Sequence, residues 1–460
     1  MISAATSFNA SGDLTASDLS AGTTVTTGGF LVVYHTLTAG GNIDVGSFLQ
    51  ATTINAPSSV LTVQGEITPN LLNAGAALQH TFNVDSIVSP NGIVFDGNQF
   101  NGTNGLSSGG LLTINSNTVT FDSATGIGFA NFNGADAGSF SNGGPSSGGD
   151  GGTFIVNTAG DITANNGSDI TATTGNNASG DNGFSGAGGT VKLVSTGGSV
   201  TVDDTIQVSS DDPIPEQTPP PPIRRSASGG TILLQSNLTI GQGITIGANG
   251  QLLSLLDTNA PGPGGSITLS TMGADITVNG TIEADRGTIT IDGNGTITFN
   301  NASAHADVLQ VGALGTNGVL NIGGGTLSAD TTLKLYAPGG NGQLNFVSNV
   351  TLGGAGAKIL AANSVTIFNN VVVTIGGSTA ADVYTNIANY SRQFGGNGST
   401  SGTFAGAGAN SPQPLASAPP FDSLPGAPSS NHPPSTPGAR PPGRVIQIDS
   451  STQLLTLLDS

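Results

Sequence analysis

The chain has 460 residues, of which 72 are Gly and only 8% are charged, and it has neither Cys nor Trp. Nine Lys and Arg stand against 28 Asp and Glu, a net charge of −19, and no Lys or Arg precedes Lys192. That removes the basic footprint a nucleic acid or an anionic bilayer needs, and the lack of Cys excludes disulfides and thiolate metal sites.

The opening, MISAATSFNASGDLTAS, has neither the basic region nor the apolar core of a signal peptide. No apolar run reaches the roughly 18 residues that span a bilayer; GGFLVVYHTL reads as a buried strand. Residues 1–150 carry short β-phrases in loose order, among them GGNIDVGSFLQATTINAPSSVLTVQGEITPN and GGLLTINSNTVTFDSATGIGFANF. From 151 to 394 the pattern tightens into a comb of Gly-Gly-hydroxyl-apolar starts at Gly151, Gly188, Gly229 and Gly264, spaced by 37, 41 and 35 residues. Between the starts, apolar residues fall at i and i+2, as in Ile276 and Val278, Ile289 and Ile291, and Ile297 and Phe299.

Period-2 alternation over three to five residues gives a strand with one buried face, and Gly or Asn at each break permits an abrupt corner. Short strands and a regular repeat predict an all-β fold, a parallel β-solenoid whose coils stack a narrow continuous core. Two coils of about 18–20 residues fit each comb spacing. About 20 such coils at roughly 4.8 Å each would make a rod on the order of 95 Å long. Asn residues are expected to stack in ladders at the corners.

Two stretches interrupt the pattern. A proline-rich segment at 211–228 (DDPIPEQTPPPPIRRSAS) is expected as an exposed loop, a tolerated insertion or a docking site marked by Arg224 and Arg225. Residues 395–444 turn to Gly, Ser and Pro, the composition of a linker. Residues 445–460 are expected as a terminal strand or helix. Their close, TQLLTLLDS, nearly repeats GQLLSLLDT at Gly250–Thr258, as the start of a further, truncated repeat would.

Reactive side chains are few. Asp203-Asp204 and Asp211-Asp212 are adjacent carboxylates, but a glycosidase needs two at a set separation, and neighbours in a strand point to opposite faces. None of His35, His80, His305 or His432 sits in Gly-His-Gly, and GGDGGTF at Gly148 lacks the tandem spacing of calcium-binding nonapeptides. No phosphate loop, nucleophile elbow, metal-ligand spacing or cofactor motif occurs. Thr-x-Thr phrases at Thr288 and Thr296 bear on ice binding, because regular threonine ranks can order water, but they are not expected to stand in register over many coils. A polysaccharide lyase or hydrolase would require three carboxylates on one coil face beside Arg286 or Lys192; otherwise no enzyme activity is expected.

One phrase carries a resemblance. Pro90, Asn91, Gly92, Ile93, Val94 and Phe95, in SIVSPNGIVFDGN, resemble the Asn-Pro-Asn-Gly-Ile phrase in the secretion domain of filamentous haemagglutinin-like proteins, with Ser89 in place of the first Asn. The comb downstream is similar to the repeats of the same bacterial surface proteins. The resemblance implies a right-handed parallel β-helix, two-partner secretion through an outer-membrane pore, and a place outside the cell or on its surface. The implied role is adhesive or structural, with glycans or proteins of a host or environmental surface as partners. The alternative is a carbohydrate-active β-helix enzyme of the pectate lyase or polygalacturonase type.

Overall fold

The computed structural model describes residues 1–64, 67–68, 79–88, 93–96, 110–122, 127–133, 149–165, 167–173, 186–210, 228–256, 262–386, 390–392, 402–421, 445–449 and 454–458. They belong to two units, Met1–Leu424 and Pro425–Ser460. Among the described residues no helix is long and apolar enough to cross a membrane.

The first unit is the expected parallel β-solenoid. Each comb coil contributes three short strands, as in Thr190–Ser195, Val200–Val202 and Thr205–Gln207, and strands pair in parallel with their counterparts one coil on. One inward column can be followed without a break through Ile2, Leu19, Leu37, Ile54, Phe82, Ile114, Val156, Leu193, Leu234, Leu269, Ile291, Val311, Leu335, Leu360 and Val383. From Leu19 onward every member is buried.

The column has fifteen rungs, fewer than the expected 20 or so, and at about 4.8 Å per rung it is on the order of 70 Å long. The difference lies in the comb. Thr153, Thr190, Thr231 and Ser266 pair directly with one another, so each Gly-Gly unit is one coil with an excursion rather than two compact coils. Coils near the N-terminus do have the short repeat, with Asn42 bonding a residue 18 positions on. Those around Asp203 stretch to 46, and the C-terminal ones return to about 24.

Polar ladders line the stack. Asn157 donates to Asn115 at 3.0 Å and Asn115 to Asn83 at 2.8 Å; Asn300 with Asn279, Asn341 with Asn317 and Asn345 with Asn321 repeat the motif. At one corner the last inward position of the strand is a hydroxyl on five successive coils, Ser116, Thr158, Ser195, Ser236 and Thr271. Each bonds a carbonyl of the turn, such as Ser195 to Gly160 and Ser236 to Gly198. Buried turn carbonyls are thereby satisfied without water.

Residues 402–421 are not the linker their composition suggests. Thr403–Gly406 pairs with Val372–Ile375, and Gln413–Pro414 with Tyr384–Thr385. Gly406 and Gly408, at φ +69° and +75°, turn the chain between them. Pro414, lacking an N–H, suits an edge position. Gly and Pro here serve corners and edges. In the second unit, Val445–Asp449 and Leu454–Leu458 form an antiparallel pair, so the closing phrase makes a strand but not a solenoid rung.

Candidate functional site: the loop-bearing corner

Before Thr281 the longest runs of chain between paired strands all fall at one corner. The strands Ile67–Thr68, Ile93–Asp96, Ile127–Asn131, Ile170–Thr171, Thr205–Gln207 and Gln251–Ser254 form one ladder. The strands that follow them, Gln79–Val88, Leu111–Ser116, Thr153–Thr158, Thr190–Ser195, Thr231–Ser236 and Ser266–Thr271, form the next. Between these two ladders the chain spends residues 69–78, 97–110, 132–152, 172–189, 208–230 and 255–265. On either side the same corner is tight, because Leu49–Val63 and Thr281–Gly293 each pass through it as one strand.

The comb glycines hold the necks of three excursions. Gly152 N donates to Phe132 O at 2.6 Å, Gly189 N to Ala172 O at 2.7 Å and Gly230 N to Val208 O at 3.0 Å. Cross-coil bonds from Gly188 to Ser228 and Gly229 to Pro263 add a second tie. Only glycine fits: a Cβ on Gly189 would lie 2.2 Å from the Gly152 oxygen, and one on Gly230 2.3 Å from the Val208 oxygen. The apolar residues at the necks, Phe132, Ala172 and Val208, are fully buried, and the Phe132 ring stacks on Phe154 at 4.8 Å. Each of these three excursions thus starts and ends at a point fixed by core packing.

The other sequence candidates fall into place around this frame. Asp203 and Asp204 sit at a corner rather than within a strand: Asp203 accepts the Asn249 N–H at 3.1 Å, and Asp204 accepts those of Gly167, Ser168 and Thr205. Asp204 also faces Asp169 of the preceding coil. Partial burial, then the charge of Asp204 and its hydrogen bond, push the Asp169 carboxyl above its ordinary range. The pair clasps coils through backbone donors.

His305 bonds Ser328 on the next coil at 2.8 Å through Nδ1, and its Nε2 is 3.8 Å from Asp330. The side chains of His305 and Asp330 are 36% and 58% exposed. The residue types are those of a nucleophilic triad, but the carboxylate lies beyond hydrogen-bond range of the imidazole, and the water-excluded setting of such catalysis is missing. The set belongs to an outward column, Glu283–His305–Ser328–Gly353. Near the N-terminus, His35 lies 3.7 Å from Asp18. Arg286 occupies a comb-glycine position at φ +48° and Lys192 lies mid-strand. Among the described residues no three His, Asp or Glu could hold a metal ion.

The side chain of His80, and His432, Asp211-Asp212, Arg224 and Arg225 lie outside the described residues, as do Pro90, Asn91 and Gly92. Ile93, Val94 and Phe95 form part of a coil strand that pairs with Ile127–Asn131.

Three features were not legible beforehand. Thr120, Thr163, Thr201, Thr245, Thr277 and Thr298 stand in register on six successive coils, against the expectation from the Thr-x-Thr phrases. Excursions of unequal length hide this column in the linear text. Lys358 occupies an inward position stacked on Leu333 and is 1% exposed. Its ammonium donates to the carbonyls of Gly354, Gly356 and Gly376 at 2.6, 2.9 and 3.0 Å, while burial pulls its pKa below that of a free lysine. Asp292 points outward yet is 3% exposed, and its Oδ2 has no hydrogen-bond partner. Burial raises its pKa against the opposing bond from Ser270.

No protein-family model, curated protein or solved structure matches the chain.

Proposed function

We propose that this chain is a non-catalytic rod that displays loops, an exported bacterial surface protein with an adhesive or structural role. The observation that supports it is the placement of six successive excursions between the same two strand ladders, with three of their necks closed by hydrogen bonds from comb glycines. A binding surface made this way is spread along the rod, and each loop meets its target from an anchored base. That lowers the ordering cost of binding, and weak contacts in several loops add through their shared scaffold. The partners that suit such a surface are glycans or proteins of another cell or of the surroundings. Export through an outer-membrane pore fits a fold in which each coil can pair with the one before it, so that folding outside the cell would draw the chain outward.

The test is excision. A variant in which residues 134–150 and 174–187 are each replaced by a two-residue Gly linker keeps Phe132, Gly152, Ala172 and Gly189, and so the necks. Its circular dichroism and melting temperature should match the parent, while binding to bacterial and animal cells and to a glycan array should fall at least tenfold. Equal binding by the excised and intact chains would overturn the proposal.

A further inference from the structure

On the C-terminal coils an outward-facing patch is sealed. Tyr336, Ile359 and Ala361 point away from the core, yet they are 3%, 8% and 0% exposed. The cover is the chain's own segment after strand Gln413–Pro414, a short 3-10 turn at Leu415–Ser417 followed by Ala418–Phe421. The segment has polyproline geometry on both sides of the turn, Pro414 at φ −58°, ψ 134° and Ala418 at φ −61°, ψ 141°.

Its contacts are those by which aromatic grooves recognise polyproline peptides. Tyr336 Oη donates to the Pro419 carbonyl at 2.7 Å and Lys334 Nζ to that of Pro420 at 3.2 Å. The Phe421 ring packs on Tyr336 with centroids 5.4 Å apart. It lies over Gly312, where a Cβ would come within 2.7 Å of the ring. The face is thus shaped for Pro-Pro-Phe down to a missing side chain.

The strap is lightly held. None of its residues from Gln413 to Phe421 is buried, whereas the patch beneath it is. Lifting the strap uncovers apolar surface that must be covered again, and the positive-φ turn glycines Gly406 and Gly408 lie just before it. We propose that this groove also accepts the same segment, Pro414–Phe421, from a second copy of the chain, so that exchanged straps join two rods. The occupant in the structure is this chain's own segment, so a second copy brings a matched ligand.

Two full-length variants separate the roles. Phe421→Ala weakens the strap and leaves the groove open, making an acceptor. Gly312→Leu fills the slot and frees an intact strap, making a donor. Light scattering on each alone should give the mass of one chain, and on an equimolar mixture twice that mass. A labelled peptide of residues 411–424 should bind Phe421→Ala at least tenfold more tightly than the parent, in which the groove is occupied. A mixture that stays at the single-chain mass while both variants keep parental circular dichroism overturns the proposal. If Gly312→Leu does not fold, the peptide titration decides alone, and equal or absent binding to Phe421→Ala and the parent overturns it. A peptide of residues 211–222, equally proline-rich, should bind Phe421→Ala at least tenfold more weakly; equal binding would overturn the assignment to a second copy's strap.

Discussion

Replacing Lys358 by Met retains most of the apolar stem in the inward column and removes the ammonium from three carbonyls. A hydrogen bond to a charged group contributes about 1.5–3 kcal/mol net. Against three such bonds stand the desolvation of the ammonium and the gain from burying methionine's apolar end. The remainder should be a loss of about 3–5 kcal/mol, because three carbonyls lose their donor at about 1–3 kcal/mol each, less what the buried methionine returns. Urea unfolding followed by tyrosine fluorescence suits the test. The chain has no Trp, and three of its four Tyr, Tyr336, Tyr384 and Tyr390, lie on the coils around Lys358. Stacked repeats need not unfold in one step, so the first transition is the one to compare. A loss under about 1 kcal/mol would refute the reasoning, since it would mean that water can take over the three carbonyls.

Other substitutions probe other ties. Asp292→Asn should stabilise the chain at pH 7 by about 1–3 kcal/mol, because the neutral amide avoids the cost of holding a buried carboxylate ionised. The raised folded-state pKa means that the wild type carries no ionisation penalty below its unfolded value of 3.8 and loses stability as pH climbs through the folded pKa. Melting temperatures of the two should therefore converge near pH 3.5, and a gap independent of pH would contradict this. Gly230→Ala, whose Cβ would lie 2.3 Å from the Val208 oxygen, should cost about 3 kcal/mol in urea unfolding, through backbone displaced by the new Cβ. Gly12→Ala, with nothing within 4 Å, should stay within about 0.5 kcal/mol. Asn115→Ala removes one bond given and one received, an expected loss of about 1–3 kcal/mol. A double-mutant cycle with Asn157 should return a non-zero coupling, and strict additivity would deny the ladder its role.

Fold class was readable because alternation is local: Ile276 and Val278 need only two positions to declare a buried face. Coil length was not, since pairing one coil on depends on how much chain lies between, and nothing in GGTFIV says that its partner is GGTVKLV. The glycine pairs stood out in the text, but their reason, a backbone oxygen about 2 Å from the missing Cβ, is a matter of three dimensions. Lys358 and Asp292 are hidden in the sequence for a related reason. A lysine two residues after Gly356 and an aspartate after Ile291 look like ordinary surface charges until their neighbouring coils are known. The linker expectation failed at Thr403 because glycine and proline serve corners as readily as flexible chain.

Unequal coil lengths also bear on the order in which the rod assembles. Closing a loop of n residues costs about (3/2)RT ln n, so going from the 17-residue separation near Asp13 to the 46-residue separation near Asp203 adds only about 0.9 kcal/mol. Lengthening an excursion is therefore cheap at equilibrium, which leaves that corner open to insertion. Kinetically the same term favours the short coils, because nearby partners meet sooner. When the whole chain refolds from denaturant in solution, rather than emerging coil by coil, the two ends of the solenoid should gain hydrogen-exchange protection first, and the loop-bearing middle should close last, between two templates already formed.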